Sequence, residues 1–179
     1  MFKGDEHYHK HLLNLDWYTP TVWKFVLTSS IKIGTIKMLK VNNRGYTYIP
    51  PYERFIMGGN GIPYGTMLRG YPDNSIGPLT TQGRGSGGNT MIKYTTEFRF
   101  PFSENPVVYA MLFAEAGNVW QDTRLMNTLR YEKTSPLDLK RSAGVGIRFF
   151  MPMIGKLGFD VGYGFDDITG NGEAQGWEY

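Results

Sequence analysis

Two side chains are set apart by their surroundings. Arg69 lies in the run Gly58-Gly59-Asn60-Gly61-Ile62-Pro63-Tyr64-Gly65-Thr66-Met67-Leu68-Arg69-Gly70-Tyr71, inside a stretch from about Met38 to Asn89 without regular periodicity. Aperiodic segments of that length are uncommon in compact domains and are usually functional or disordered. Glycine admits φ > 0 and close backbone approach, while Tyr64, Met67, Leu68 and Tyr71 are larger than a linker requires. The reading is a tightly folded loop that presents Arg69. Glu115 is the only charged residue between Val107 and Trp120. A guanidinium tucked into a cavity needs an acidic partner, and a carboxylate on an apolar strand needs a cation. Arg69 and Glu115 are therefore expected to meet as a shielded bidentate pair, with Asp160 the next acid to consider.

Three other constellations carry weaker chemistry. His7, His9 and His11, the only histidines, share one face of an extended segment. Imidazoles so placed suit zinc or copper, but a solvated strand tip is the simpler account and no metal is assigned. No serine or cysteine nucleophile motif stands beside them, so histidine-based hydrolysis is not expected. Asp167-Ile168-Thr169-Gly170-Asn171-Gly172, with Glu178 in the twelfth place, approaches a calcium loop. Its flanks read as strands instead of helices, which argues for coincidence. Gly83-Arg84-Gly85-Ser86-Gly87-Gly88 lacks a strand-to-helix context and a Walker lysine, so it reads as a surface loop. No catalytic set, cofactor or metal is expected.

The elements that must position Arg69 and Glu115 follow from a period of two. Leu13, Leu15 and Trp17 alternate with Leu12, Asn14 and Asp16; Leu27, Ile31 and Ile33 alternate with Thr28, Ser30 and Lys32. Ile92, Tyr94, Thr96, Phe98 and Phe100 oppose Lys93, Thr95, Glu97 and Arg99. Val145, Ile147 and Phe149 oppose Gly144, Gly146 and Arg148, and Leu157, Phe159, Val161 and Tyr163 oppose Gly158, Asp160 and Gly162. This is the pattern of half-buried strands. Strands are predicted over Tyr8–Trp17, Trp23–Ile36, Met91–Phe100, Val107–Trp120, Ser142–Phe150 and Lys156–Phe165, with a further one begun at Gly176. The connections alternate short and long, and strands of about ten residues cross a bilayer when tilted. Short turns at one end and long loops at the other mark an outer-membrane barrel. Trp17, Trp23, Phe100, Trp120 and Phe150, near strand ends, fit interfacial girdles. In a barrel, Glu97, Arg99, Glu115, Arg148 and Asp160 all point into one lumen. Lysine at Phe98, Leu112, Ile147 or Phe159 would then meet lipid, and lysine at Thr95 or Gly162 would not.

The totals agree. Aromatics make up 15% of the 179 residues and there are 23 glycines, which favours strands and turns. A net charge of +3 is too mild to argue for nucleic acid. No run of 18 apolar residues is present, which excludes a transmembrane helix but not a barrel. Cysteine is absent, in keeping with a route through an oxidising periplasm without requiring it. The polar start Met1-Phe2-Lys3-Gly4-Asp5-Glu6 is no signal peptide, so an exported protein would be represented here by an excised piece behind an engineered Met.

The motifs resemble those of one family. Leu68-Arg69-Gly70-Tyr71 is similar to its V-R-G-F/Y motif, with Leu for Val. Phe113-Ala114-Glu115-Ala116-Gly117 is similar to its F-x-D-x-G motif, with Glu for Asp. Gly146-Ile147-Arg148, then Pro152, Gly155, Leu157 and Asp160, resemble its late G-x-R…P-x-G-x-L…D-Y-G stretch, with Asp160-Val161-Gly162 at the end. The family is that of the outer-membrane assembly factors typified by BamA, with the TamA assembly proteins and the two-partner secretion transporters. The resemblance covers most of the chain from Arg54 onward and is nearest in wording to the Bacteroidetes branch.

That resemblance implies an all-β fold: an antiparallel up-and-down transmembrane β-barrel of sixteen strands, of which residues 1–179 would be the C-terminal half. Residues 38–89 would be an extracellular loop that folds into the lumen onto the acidic strand motif. POTRA domains would belong to the whole protein and lie outside this chain. The implied role is non-enzymatic: folding and inserting other barrels in the bacterial outer membrane. Unfolded outer-membrane proteins would be the clients, and outer-membrane lipid and accessory assembly lipoproteins the other partners; nucleic acid is not expected. A protein-secreting pore of the same superfamily is the alternative. A passive porin or a lipid-modifying barrel enzyme comes third, and a soluble β-sandwich last.

Overall fold

Alternation of apolar and polar side chains lets each strand present one face to apolar surroundings and the other to polar ones. The computed structural model describes residues 7–39, 49–61, 64–78, 86–121, 138–153 and 155–179. Within them run β1 (Tyr8–Pro20), β2 (Val26–Met38), β3 (Thr90–Glu104), β4 (Val107–Trp120), β5 (Lys140–Met151), β6 (Gly155–Gly164) and β7 (Gly176–Glu178). They form one seven-stranded antiparallel sheet in sequence order, an up-and-down meander that does not close on itself. β1, β3 and β5 run longer than predicted, β4 has the predicted bounds, and β2 and β6 are shifted along the chain. β3 passes Phe100 because a register shift between Pro101 and Ser103 absorbs the proline, so pairing resumes as far as Glu104 opposite Val107.

The short connections, residues 21–25, Asn105-Pro106 and the turn holding Pro152, lie at one end of the sheet. The long ones leave β2 at Met38, β4 at Trp120 and β6 at Gly164, all at the other end. Cross-strand partners share a face. Glu115 stands opposite Thr95 and Ser142, and Gly146 stands opposite Met111 and Asp160, so the polar positions of β3 to β6 fall on a single face.

That polar face is the buried one. Along β4, Met111, Phe113 and Glu115 are buried while Leu112 and Ala114 are exposed. Leu112 is 52% and Phe159 70% exposed on the apolar face, and Leu13, Leu15, Trp17 and Val145 are exposed beside them. A water-soluble sandwich would bury these residues, each contributing about 1.5–3 kcal/mol when removed from water. Here they form an uncovered apolar surface, as on the outside of a barrel wall. The long segment after β2 covers the inner face. It contributes Ile49, Phe55, Met57, Leu68, Tyr71 and Ile76 to a core completed by Ile36 of β2, Met91 of β3 and Val119 of β4.

Candidate functional site

The arginine loop holds its shape through its own backbone. Phe55 and Gly88 exchange both hydrogen bonds, at 2.9 and 2.8 Å, and clamp the ends of the segment together. The Thr66 N–H donates to the Ile56 carbonyl and the Leu68 N–H to the Gly59 carbonyl. These pairs place Leu68 in the core and turn the next residue, Arg69, toward the inner face of β3, β4 and β6. Arg69 is 5% exposed.

Arg69 and Glu115 meet, but not through a guanidinium fork. One Glu115 oxygen, Oε1, accepts from Arg69 Nη2 at 2.7 Å; the other, Oε2, accepts from the backbone N–H of Arg69 at 2.8 Å. The carboxylate thus fixes both ends of the same residue. Glu115 Oε1 also accepts from Thr95 Oγ1 at 3.2 Å and pairs with Lys93 Nζ at 2.9 Å. Arg69 Nη2 reaches Glu97 at 2.9 Å, Nη1 lies 3.6 Å from Asp160, and the guanidinium carbon sits 3.7 Å over the Phe113 ring. Glu97 is held in turn by Arg99, and Asp160 by a true fork from Arg148 at 2.8 and 2.7 Å. Four cations, Arg69, Lys93, Arg99 and Arg148, therefore meet three carboxylates, Glu97, Glu115 and Asp160, in one connected network.

Glycines make room for this arrangement. A side chain at Gly146 would overlap the Asp160 carboxylate, and one at Gly158 would come within 2.7 Å of Arg148. Gly70 takes φ +81°, and its Cα lies against the backbone of β6: a Cβ there would stand 2.9 Å from the Tyr163 carbonyl carbon and 3.0 Å from the Gly164 N. From the other side, a Cβ at Gly162 would stand 2.8 Å from the Gly70 N. Loop and wall touch backbone to backbone. Gly162 is therefore no tolerant site for lysine, and neither is Thr95, whose hydroxyl donates to Glu115.

Tyr71 ties the loop to the long-loop end of β5. Its hydroxyl donates to the Arg141 carbonyl at 2.6 Å and accepts from the Asp166 N–H at 3.3 Å. Asp166 accepts from the Arg141 backbone N–H at 2.6 Å and from its guanidinium at 2.9 Å. Burial pushes the Tyr71 phenol well above its ordinary value. Burial also works against the Asp166 carboxylate, but the Arg141 guanidinium and N–H outweigh it and hold the group below the usual carboxylate range.

Other motif positions have structural duties. Gly117 is buried under Met57, whose sulfur would stand 2.7 Å from an added Cβ. Pro152 lies exposed in the β5–β6 turn, and Gly155 opens β6 at φ +93°. The Asp167 carboxylate accepts from the N–H groups of Thr169, Gly170 and Gly172 at 2.6–2.8 Å, which close the loop on itself, and those bonds hold its carboxyl below the usual range. Of the glycine-rich run 83–88, residues 83–85 lie outside the described residues; Gly88 belongs to the clamp with Phe55. His7 just before β1 and His9 and His11 within it are exposed, and no group of three metal-ligating side chains converges among the described residues. Lys93, and Arg141 and Asp166 as the partners of Tyr71, are the site members that sequence reasoning missed. Only the cross-strand register, which sets Lys93 one lattice step from Glu115, could have supplied the first.

The chain shares its fold with a solved structure of BamA from Haemophilus ducreyi lacking POTRA domains 1–3, at a TM-score of 0.74 and 22% identity. The match covers 97% of this chain and 34% of that one, so the chain spans about a third of that relative's length. No curated protein matches it in sequence. The family model that does match describes the Omp85 superfamily domain and runs over residues 1–179. The chain, a sheet of barrel wall with a charged loop locked against its inner face, belongs to the Omp85 superfamily.

Proposed function

We propose that this chain is the C-terminal part of an outer-membrane barrel that folds and inserts other β-barrel proteins into the bacterial outer membrane. The whole protein, on this reading, carries POTRA domains outside this chain, is not an enzyme, and takes unfolded outer-membrane proteins as clients with help from accessory assembly lipoproteins. The observation that carries it is the Arg69–Glu115 clasp beneath the sheet. A loop fastened at both ends of one arginine is held in a fixed conformation against the inner face of the wall.

The test uses the full-length protein reconstituted in vesicles. An unfolded client barrel should acquire its folded, heat-modifiable form faster with the wild type than with Arg69→Ala or Glu115→Ala. A secretion pore would instead move a soluble passenger into the vesicle lumen, where protease cannot reach it. Transport of the passenger without client folding would overturn the assembly reading.

A further inference from the structure

At the long-loop end of β1 and β2 the outward face changes character. Leu13, Leu15 and Trp17 are exposed and apolar; above them on the same face stand His11, His9 and His7. Register places Ile33 beside Leu13, Thr35 beside His11 and Lys37 beside His9. The outward direction of these odd positions is fixed by Lys10 between them, which points inward to pair with Glu53 of the loop at 3.0 Å. The His9 and His11 rings are 5.9 Å apart, and both histidines, His7 and Lys37 are exposed. The described outward positions at this end are His7, His9, His11, Thr35, Lys37 and Leu39, and none is acidic.

We infer that His7, His9, His11 and Lys37 bind the phosphate of an outer-leaflet lipid whose acyl chains lie on Leu13, Leu15 and Ile33. This rests on the outer-membrane reading above, in which long loops face outward. A row of imidazole and ammonium donors at the upper margin of an apolar band meets headgroups, and phosphate oxygens accept from both donor types. A metal is the poorer occupant. The Lys37 ammonium directly opposite His9 repels a dication, and no carboxylate of the described outward face offsets it. Charge near a bilayer surface and chains on the band act together, so the site selects an anionic lipid over either part alone.

The full-length protein in neutral detergent is titrated with short-chain phosphatidylglycerol and, separately, with phosphatidylcholine of the same chains, and bound lipid is counted by native mass spectrometry. The wild type should favour phosphatidylglycerol about tenfold. H7Q/H9Q/H11Q/K37Q should bring the two lipids near parity, while Lys24→Gln at the short-turn end should keep the preference. Inorganic phosphate should not displace the lipid; displacement at matched concentration would mean an anion site without a lipid and would overturn the inference. So would an unchanged preference in the quadruple variant, or zinc binding that the histidine changes abolish while lipid preference persists. Quenching of Trp17 by brominated chains in both proteins reports that the band lies in lipid. Quenching with unchanged preference sinks only this inference; no quenching in either protein sinks the membrane reading as well.

Discussion

Glu115 is the residue on which most of the inner network converges, and the costs of breaking it should be unequal. Removing its carboxylate leaves Lys93 without its anion and the Arg69 N–H without an acceptor, whereas Arg69 keeps Glu97 and Asp160. Glu115→Ala should cost roughly 3–5 kcal/mol in urea titrations of the vesicle-embedded protein, the range for stranding a buried charge. Arg69→Ala should cost less, because Glu115 retains Lys93. Arg69→Lys should rescue only in part: an ammonium cannot reach Glu115 and Glu97 while also stacking on Phe113. In the double mutant the losses should fall short of the sum by about 0.5–3 kcal/mol, and strict additivity would mean the two residues do not act as a unit. The pairing was legible because each partner is anomalous where it stands, a large charged residue among glycines and a lone acid in an apolar strand. Glu97, Arg99, Arg148 and Asp160 were legible as charges on the same inner face, but their pairings and the part of Lys93 were not, because these follow from strand register, which alternation alone leaves free.

At the scale of elements, period two carried most of the information, since one apolar face per strand is a local property. Strand ends were less legible: the bulge that carries β3 through Pro101 depends on its pairing with β4. Lysine at Phe98, Leu112, Ile147 or Phe159 should cost about 2–4 kcal/mol near mid-bilayer. The inner-face comparison belongs at Asn14, exposed on the other face of β1, where lysine should cost little. Equal penalties on both faces in refolding titrations would reverse the assignment of inside and outside. The tie between β5 and the segment after β6 should respond to acid. Asp166 has a folded-state pKa below its ordinary value, so its contribution is complete above about pH 4 and is lost as pH falls through the lower folded value. Amide exchange at Arg141, corrected for intrinsic rate, should stay protected from neutral pH down to about pH 5 and open well below pH 4. Asp166→Asn should open it at every pH.

At the scale of the whole chain, the sheet formed by the described residues has two free edges. β1 has a partner only in β2, and β7 pairs with β6 only at Gly162, Tyr163 and Gly164. Lipid cannot satisfy such backbone groups, and water leaves the apolar face uncovered. The isolated chain should therefore self-associate in detergent-free buffer; a monodisperse monomer in sedimentation velocity would contradict the membrane assignment. The glycines under the loop bear on the order in which this molecule acquires its shape. β6 holds Gly155, Gly158, Gly162 and Gly164 among its ten residues, and glycines in a strand lose more backbone entropy on ordering than alanines would, together on the order of 2–4 kcal/mol. At Gly162 and Gly164 the contacts that offset this loss come from Gly70, lying across the strand. β6 should then be among the last strands to become rigid, after the loop has docked, and Arg69→Ala should speed amide exchange in β6 more than in β2. On this expectation the loop is the mould against which β6 is cast, and the order of folding is written into the wall itself.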